Sequence, residues 1–214
     1  MATRKVIRII PIKKYYSYGI ILYDNVKKKW LLVQHPHSYG YHYILRGRCT
    51  ENDFDRCISR LSKKEIEKIK TDITEREKNL GYSSSMLQYL NRKIEKEEGL
   101  EEVLWGFPKG RKKLRETVYQ AATREFKEET GINLEQIKIL DQVASVHYMG
   151  SIINQYNITC YVAIVDQEIT LGDKYDKREI SQRKWMDYDE AEKRLVPDQL
   201  PLLQQARDIV NILK

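Results

Sequence analysis

Hydrophobic and aromatic residues cluster near the start of the chain in a way that predicts two β-strands. The segments YSYGIILYD (16–24) and KKKWLLVQH (27–35) are rich in β-branched and aromatic residues, which favour strands. Polar residues at 25–29 lie between them. We therefore expect two strands around a polar turn.

Between residues 50 and 98 the pattern changes to helical. Apolar residues recur at helical spacing in three segments, at 53–61, 62–79 and 83–98. Ser62 with Glu65 three positions later is typical of a capping box, and a serine precedes the third segment as a candidate N-cap. Gly81 is a candidate helix end. The sequence thus predicts a helical subdomain set between strands.

The second half of the chain mixes both patterns. Val118, Ala122 and Phe126, spaced by four, form an apolar stripe typical of a core-facing helix. Segments 137–149, 154–165 and 179–189 look like strands, and 199–213 looks like a closing helix. Strands on both sides of a central helix predict an α/β fold, a sandwich around a mixed sheet with an inserted helical subdomain.

The distribution of charge along the chain indicates a kind of binding partner. The formal net charge of the 214 residues is +7. Residues 1–45 hold one acid, Asp24, and eight bases: Arg4, Lys5, Arg8, Lys13, Lys14, Lys27, Lys28 and Lys29. This asymmetry favours a polyanionic partner such as nucleic acid. An ordinary solubilising surface is the alternative on charge alone.

Cysteine usage and hydropathy bear on the compartment. The three cysteines fit neither a metal-binding pattern nor a disulfide framework, and the four histidines have no zinc spacing with them. No apolar run approaches the roughly 18 residues of a membrane span, and the N-terminus lacks a signal-peptide core. We expect a cytoplasmic protein with reduced thiols and no membrane partner.

One stretch of the sequence contains a cluster of candidate metal-binding residues. In GFPKGRKKLRETVYQAATREFKEETGI (106–132), Glu125, Glu128 and Glu129 share one helical turn, although like charges at these spacings repel. Such crowding makes sense if divalent cations lie among the carboxylates. Mg²⁺ and Mn²⁺ prefer hard oxygen ligands and neutralise charge developing on phosphate oxygens. The sequence therefore predicts an Mg²⁺ or Mn²⁺ site acting on a polyphosphate.

The spacing of this stretch resembles the signature of Nudix hydrolases at every fixed position from 110 to 132. These enzymes cleave a nucleoside diphosphate linked to another moiety, using metals on the glutamates of a loop–helix–loop motif. The resemblance implies a Nudix domain split by the insertion, with residues 1–48 and 100–214 forming the Nudix domain and residues 49–99 the helical insertion.

The same resemblance implies roles for individual residues. Glu116, Glu125, Glu128 and Glu129 would ligate metal, with Glu128 or Glu129 serving as base. Arg124 would orient the glutamates, while Gly110 and Gly131 would be structural. Glu179 looks like the further acid that many members use, although Asp173 and Asp176 lie in the same loop. Four basic residues could hold the substrate: Lys109 and Arg111 its polyphosphate, and Lys112 and Lys113 an RNA chain.

Two further features suggest the substrate. The segment WGFPKGR (105–111) is similar to the loop of mRNA-decapping Nudix enzymes, and also to that of dinucleoside polyphosphate and diphosphoinositol hydrolases. A helical insertion after a Tyr/Arg-rich bend, in residues 37–65, resembles the decapping enzymes of poxviruses, African swine fever virus and giant viruses. The implied partner is capped mRNA in a host cytoplasm, and no obligatory protein partner is identifiable.

Decapping of this kind would release 7-methyl-GDP and RNA with a 5′-monophosphate. Aromatic rings can stack on the positively charged methylated base, and the candidates are Tyr39, Tyr41 and Tyr156; each could instead be a half-buried structural tyrosine. Arg46 and Arg48 could contact RNA or simply cap the insertion. The alternative substrates are a diphosphoinositol polyphosphate or a dinucleoside polyphosphate, and the alternative class is an RNA-binding protein with vestigial catalysis.

Overall fold

The computed structural model describes residues 11–76, 81–151 and 154–213. In these ranges the main elements follow the order β1 (Lys13–Asp24), β2 (Lys29–Gln34), α1 (Tyr39–Leu45), α2 (Glu51–Ile58), α3 (Lys63–Arg76), α4 (Ser84–Lys96), β3 (Trp105–Gly106), β4 (Lys109–Gly110), α5 (Val118–Thr130), β5 (Lys138–Ser151), β6 (Asn154–Val165), β7 (Gln182–Met186), α6 (Tyr188–Arg194) and α7 (Leu200–Ile212). No helix in these ranges is both long and apolar enough to cross a membrane.

The strands form one mixed sheet. Its order is β3-β2-β1-β6-β5, with β4 paired to β1 and β7 paired to β2. β1 and β6 run parallel over their whole length, whereas β1 pairs antiparallel with β2 and with β4. β1 therefore lies at the centre of the sheet, and Tyr18 and Gly19 in its middle pair with the short strand β4 that precedes α5.

Alternation along β1 divides the core into two layers. Ile20 and Leu22 face the helix α5 and pack with Ala122 and Phe126. Ile21 and the buried face of the next strand contact the opposite layer, which includes residues of α6 and α7 such as Leu203. Successive side chains of a strand point to opposite faces. The result is the predicted α/β/α sandwich, so the fold class is confirmed.

The four helices α1–α4 form a helical unit with a core of its own. This core includes Ile44 of α1, Phe54 of α2, Ile69 of α3 and Leu90 of α4. Residues of α1 also belong to this core, and the predicted boundary of the insertion at residue 49 stays a prediction. The predicted capping box is present, since the Ser62 amide donates to the Glu65 carboxylate at 2.9 Å.

Several elements differ from the sequence-based expectation. α1 was expected as a bend, and the first two residues of α6 were expected as the end of a strand over 179–189, of which only Gln182–Met186 is extended. α6 begins there because Asp187 caps it, accepting from the Glu190 amide at 2.8 Å. The predicted helix 62–79 is described to Arg76, and its last residues lie outside the described ranges. So do three of the bases counted above, Arg4, Lys5 and Arg8.

Candidate active site

The loop that enters α5 is held against the sheet by its backbone. Gly110 pairs with Tyr18 across the β1–β4 ladder, and the Ile20 amide donates to the carbonyl of Pro108 at 3.2 Å. A Cβ atom at Gly19 would lie 2.1 Å from that Pro108 oxygen. Glycine at this position therefore lets the loop lie directly on the central strand.

Gly110 brings the loop equally close to α5. A Cβ atom at Gly110 would lie 2.1 Å from Cδ of Glu125, far inside ordinary van der Waals contact. The missing side chain leaves the space that the Glu125 carboxylate occupies. Gly110, which was predicted to be structural, thus makes room for the Glu125 carboxylate.

The helix α5 has well-defined ends that fix its glutamates. Thr117 accepts a hydrogen bond from the Gln120 amide at 3.1 Å, and the Gln120 side chain accepts from the Thr117 amide at 2.8 Å. At the other end Gly131 is left-handed, with φ 71°, a conformation that costs glycine little. A Cβ atom there would also lie 2.1 Å from the carbonyl oxygen of Lys174.

Arg124 ties three of the glutamates together. Its Nε donates to Glu116 Oε1 at 2.6 Å, and its Nη1 donates to Glu125 Oε1 at 2.7 Å and to Glu128 Oε2 at 2.9 Å. Its Nη2 donates to the carbonyl of Arg111 at 3.0 Å. A planar guanidinium with five donors is suited to such a fork. Arg124 therefore connects the loop to α5 and contacts the acids that it was predicted to orient.

Three carboxylates meet at one point. Oxygens of Glu125, Glu129 and Glu179 lie within 4.8 Å of one another. The first two come from α5, and Glu179 comes from the loop before β7. Glu116 and Glu128 lie outside this group: Arg124 holds both, and the Lys113 amide also donates to Glu116 Oε2 at 2.7 Å. We name Glu125, Glu129 and Glu179 the carboxylate group.

The loop that carries Glu179 is fixed at two places. The Asp176 amide donates to the carbonyl of Glu128 at 2.8 Å, and His35 Nδ1 lies 2.8 Å from the carbonyl of Glu179. The two other acids of this loop point elsewhere, because Asp176 binds Arg178 and Asp173 lies 3.5 Å from Lys177. Of the three predicted alternatives, the structure brings Glu179 to the site.

Electrostatics single out Glu129. Its side chain is 2% exposed, and its Oε2 accepts the Lys109 amide at 2.9 Å. In the absence of a metal ion, burial raises the pKa of Glu129 to about 8, with the charges of Glu125 and Glu179 acting in the same direction and Lys109 opposing them. Burial also raises the pKa of Glu125. The group thus crowds more negative charge than the protein neutralises.

This donor set fits a divalent cation. Carboxylate oxygens are the ligands that Mg²⁺ and Mn²⁺ prefer, and a bound cation would offset both the burial and the mutual repulsion that raise the pKa values of Glu125 and Glu129. Glu125, Glu129 and Glu179 are the residues that would hold it. When bound, such a cation activates water and neutralises charge developing on phosphate oxygens.

A pH dependence follows for the metal-free protein. The folded state keeps a proton on Glu129 up to about pH 8, whereas an unfolded glutamate loses it near pH 4.5. The free energy of unfolding should therefore fall as pH rises through this window, by at most about 1.4 kcal/mol per pH unit. Chemical denaturation in EDTA from pH 5 to 9 checks this, with Glu129→Gln as the reference that lacks the slope. Parallel curves for the two proteins would contradict it.

Comparison with known proteins bears on this site. Residues 87–206, more than half of the chain, match the family model described as the NUDIX domain. The chain belongs to the Nudix family. Members of this family hydrolyse pyrophosphate bonds with the help of divalent cations. The resemblance seen in residues 110–132 is thus confirmed, and α5 is the Nudix helix.

One curated relative and two solved structures extend the comparison. A protein of Acanthamoeba polyphaga mimivirus, whose name gives mRNA decapping as a provisional assignment, is 39% identical over 98 residues, which is 44% of this chain and 27% of the viral protein. The chain thus matches about a quarter of that relative's length. The C. elegans Ap4A hydrolase has TM-score 0.51, 17% identity and coverage of 92% and 97% of the two chains. The MutT protein of Methanosarcina mazei Go1 has TM-score 0.50, 11% identity and coverage of 95% and 99%. These two structures share the Nudix fold.

A cleft opens between the helical unit and the Nudix sheet. Val103, Leu104 and Val196 give it an apolar wall. Tyr39 and Arg60 line it from the helical side and Lys109 lines it from the sheet side. An apolar wall with a few polar groups is typical of small-molecule sites.

Lys109 links the cleft to the carboxylate group. Burial alone lowers the pKa of this lysine, but Tyr39 and Glu129 raise it, and the net direction is upward. The side chain is therefore a buried cation at neutral pH, and its Nζ lies 5.8 Å from the Tyr39 ring centroid. A phosphate placed between cleft and carboxylate group would meet this positive charge.

Of the three tyrosines predicted to stack on a cap, two are placed differently. Tyr41 is 3% exposed and packs in the core of the helical unit, so its assignment to the substrate is wrong. The ring of Tyr156 is stacked on two other tyrosine rings, with its centroid 5.1 Å from that of Tyr15 and 5.4 Å from that of Tyr148. No face of Tyr156 remains open for a base. Tyr39 is 65% exposed at the cleft and remains a candidate.

The basic candidates lie at the surface near the loop and at the end of α1. Arg111 lies over the Tyr15 ring at 5.4 Å. Lys112 Nζ donates to the carbonyl of Glu116 at 2.9 Å, and Lys113 Nζ is 3.9 Å from Glu128. Arg46 and Arg48 are exposed around the C-terminal end of α1. Their contacts with RNA stay a prediction.

Sequence-based reasoning missed His35 as a positioning residue. Burial lowers the pKa of His35 to about 4, and the charge of Lys109 acts in the same direction. The neutral ring can donate from Nδ1 to the Glu179 carbonyl and so holds that loop in place. The position at the end of a predicted strand was the available signal, but its partner lies 144 residues away.

Proposed function

We propose that this Nudix hydrolase removes the 5′ cap of mRNA, releasing 7-methyl-GDP and RNA with a 5′-monophosphate. The observation that carries the proposal is the carboxylate group beside a cleft that the helical unit completes. The decapping name of the viral relative and the basic character of the chain support the choice of substrate. A capped transcript is a polyanion, which a basic surface attracts.

In the proposed reaction the Nudix part of the chain supplies the residues that act on the triphosphate bridge. Glu125, Glu129 and Glu179 would hold Mg²⁺ or Mn²⁺, and Arg124, which is bonded to Glu125 and Glu128, would keep both oriented. Lys109 meets the triphosphate bridge with its buried positive charge. Water adds to a phosphorus of the bridge, the P–O bond between the 7-methyl-GDP part and the RNA 5′-phosphate breaks, and a carboxylate of the Nudix helix accepts the proton.

Tyr39 is the residue proposed to recognise the methylated base. An exposed ring at the cleft can stack on the cationic guanine, and cation–π attraction of about 1–2 kcal/mol corresponds to roughly 5- to 30-fold in affinity. Tyr39→Ala should therefore raise KM for a methylated cap by about that factor and raise it less for an unmethylated cap. Tyr16, another exposed tyrosine, supplies Tyr16→Ala as the control. Equal effects of Tyr39→Ala on both caps would contradict the stacking role.

Competing substrates test the proposal directly. The ratio kcat/KM would be measured for capped RNA, for diadenosine tetraphosphate and for a diphosphoinositol polyphosphate under the same cation concentration. The proposal expects the highest ratio for capped RNA. A higher kcat/KM for either small molecule would make that molecule the preferred substrate in place of capped RNA, while the protein would still be a Nudix hydrolase. Binding of RNA without hydrolysis of any of the three would favour vestigial catalysis.

A further inference from the structure

Two arginines join the helical unit to the Nudix sheet through a single acid. Arg56 Nη2 and Arg60 Nη1 both donate to Oδ2 of Asp198, at 2.6 Å and 2.7 Å. Arg56 lies in α2 and Arg60 two residues after it, whereas Asp198 precedes α7. The Asp198 side chain is 15% exposed, so this contact is partly protected from solvent.

The two arginines differ in their other contacts. Arg56 also donates to the carbonyl of Met149 and lies over the Tyr148 ring, 5.0 Å from its centroid. Arg60 lines the cleft, and in the described part of the chain its remaining guanidinium N–H groups meet no acceptor. Arg56 is therefore engaged in holding the two units together, while Arg60 keeps donors available.

The contact of Arg56 and Arg60 with Asp198 has a net positive charge. Burial alone raises the pKa of Asp198, but the two guanidinium groups lower it and the net direction is downward. One carboxylate thus faces two cations, which leaves about one positive charge. Among the described residues that line the cleft, Arg60 and Lys109 are cations and none is a carboxylate.

A guanidinium held on one side by a carboxylate and open on the other is well suited to a phosphate. Its planar set of donors matches phosphate oxygens, and charge-assisted hydrogen bonds of this kind are the strong ones. Arg60 faces the cleft from the helical side and Lys109 from the sheet side. A substrate with several phosphates could meet both.

We propose that Arg60 is a further substrate-binding residue that contacts a phosphate group of the substrate, and that Asp198 positions its guanidinium. The proposal rests on the proposed function for the identity of the substrate, since the phosphate belongs either to the bridge of the cap or to the RNA chain. It gives the helical unit a direct part in binding.

The test uses Arg60→Ala and Arg60→Lys in the full chain, with capped RNA and with the cap dinucleotide as separate substrates. Arg92→Ala is the matched control, because Arg92 is exposed on α4 of the same unit and does not line the cleft. Arg60→Ala should raise KM about tenfold with kcat within about twofold, and should reduce the salt dependence of binding by about one unit of slope. Arg60→Lys should recover part of the affinity, because it restores the charge.

The two substrates locate the phosphate. An effect on both places it in the bridge, and an effect on capped RNA alone places it in the RNA chain. Unchanged KM, or a change no larger than that of Arg92→Ala, would overturn the proposal. If capped RNA is not hydrolysed, the same variants are measured with diadenosine tetraphosphate: a raised KM there keeps the phosphate contact while decapping is rejected, and an unchanged KM rejects both.

Discussion

Replacing Glu129 by Gln is expected to lower kcat by about 10³-fold, a loss typical of removing a group that handles a proton or charge in the transition state. Glu129 is the most buried of the carboxylate group and has Lys109 and two other acids around it. The amide keeps the shape of the side chain and can still accept the Lys109 amide. It cannot hold a cation as a carboxylate does. Steady-state kinetics with saturating Mg²⁺ or Mn²⁺ measures the loss.

Two further Glu→Gln substitutions separate this effect from a general loss of charge. Glu135→Gln removes a charge from an exposed position outside the site and should leave kcat unchanged. Glu128→Gln should lower kcat by less than Glu129→Gln, because Glu128 is exposed and bound to Arg124. If the Glu129→Gln protein folds normally and keeps more than a tenth of the activity, Glu129 is not a catalytic residue.

Gly110→Ala is expected to lower kcat by about 10²-fold without unfolding the protein. The new methyl group would lie 2.1 Å from Cδ of Glu125, so the carboxylate must move by more than about 1 Å, a displacement that can cost about that factor in rate. Displacement of Glu125 also breaks its bond to Arg124 at 2.7 Å. Activity and the affinity for Mn²⁺ would be measured together, since we expect both to fall.

Gly172→Ala is the matched control for this substitution. A Cβ atom at Gly172 meets nothing within 4 Å, and the residue lies in the loop that leads toward Glu179. Gly172→Ala should therefore change neither kcat nor cation affinity. If Gly110→Ala retained full activity, the close approach of the loop to Glu125 could not be needed for catalysis.

Local sequence patterns were sufficient for the Nudix helix. The spacing of Glu125 and Glu129 puts both on one flank of α5, and Gly110 and Gly131 mark the loop and the helix end. Glu179 also lies where the family resemblance implies. These features depend on residues close together in sequence or on one fixed motif, so a pattern in the chain can carry them.

Features that depend on strand register, on helix packing or on partners far away in the sequence could not be predicted from local patterns. Tyr156 looks like a free strand tyrosine until the sheet places Tyr15 and Tyr148 beside it from two other strands. Tyr41 and Tyr39 are two positions apart in α1, and only the packing of that helix decides which is buried. Arg60 and Asp198 lie 138 residues apart, so no local pattern connects them.

The most direct test of decapping uses RNA labelled at the cap phosphate and chromatography of the products. The wild-type protein and Glu129→Gln would be incubated with this RNA in Mg²⁺ or Mn²⁺. We expect release of labelled 7-methyl-GDP by the wild type, no release with EDTA and almost none with Glu129→Gln. Intact capped RNA after incubation with wild-type protein that hydrolyses another polyphosphate would contradict the proposed substrate.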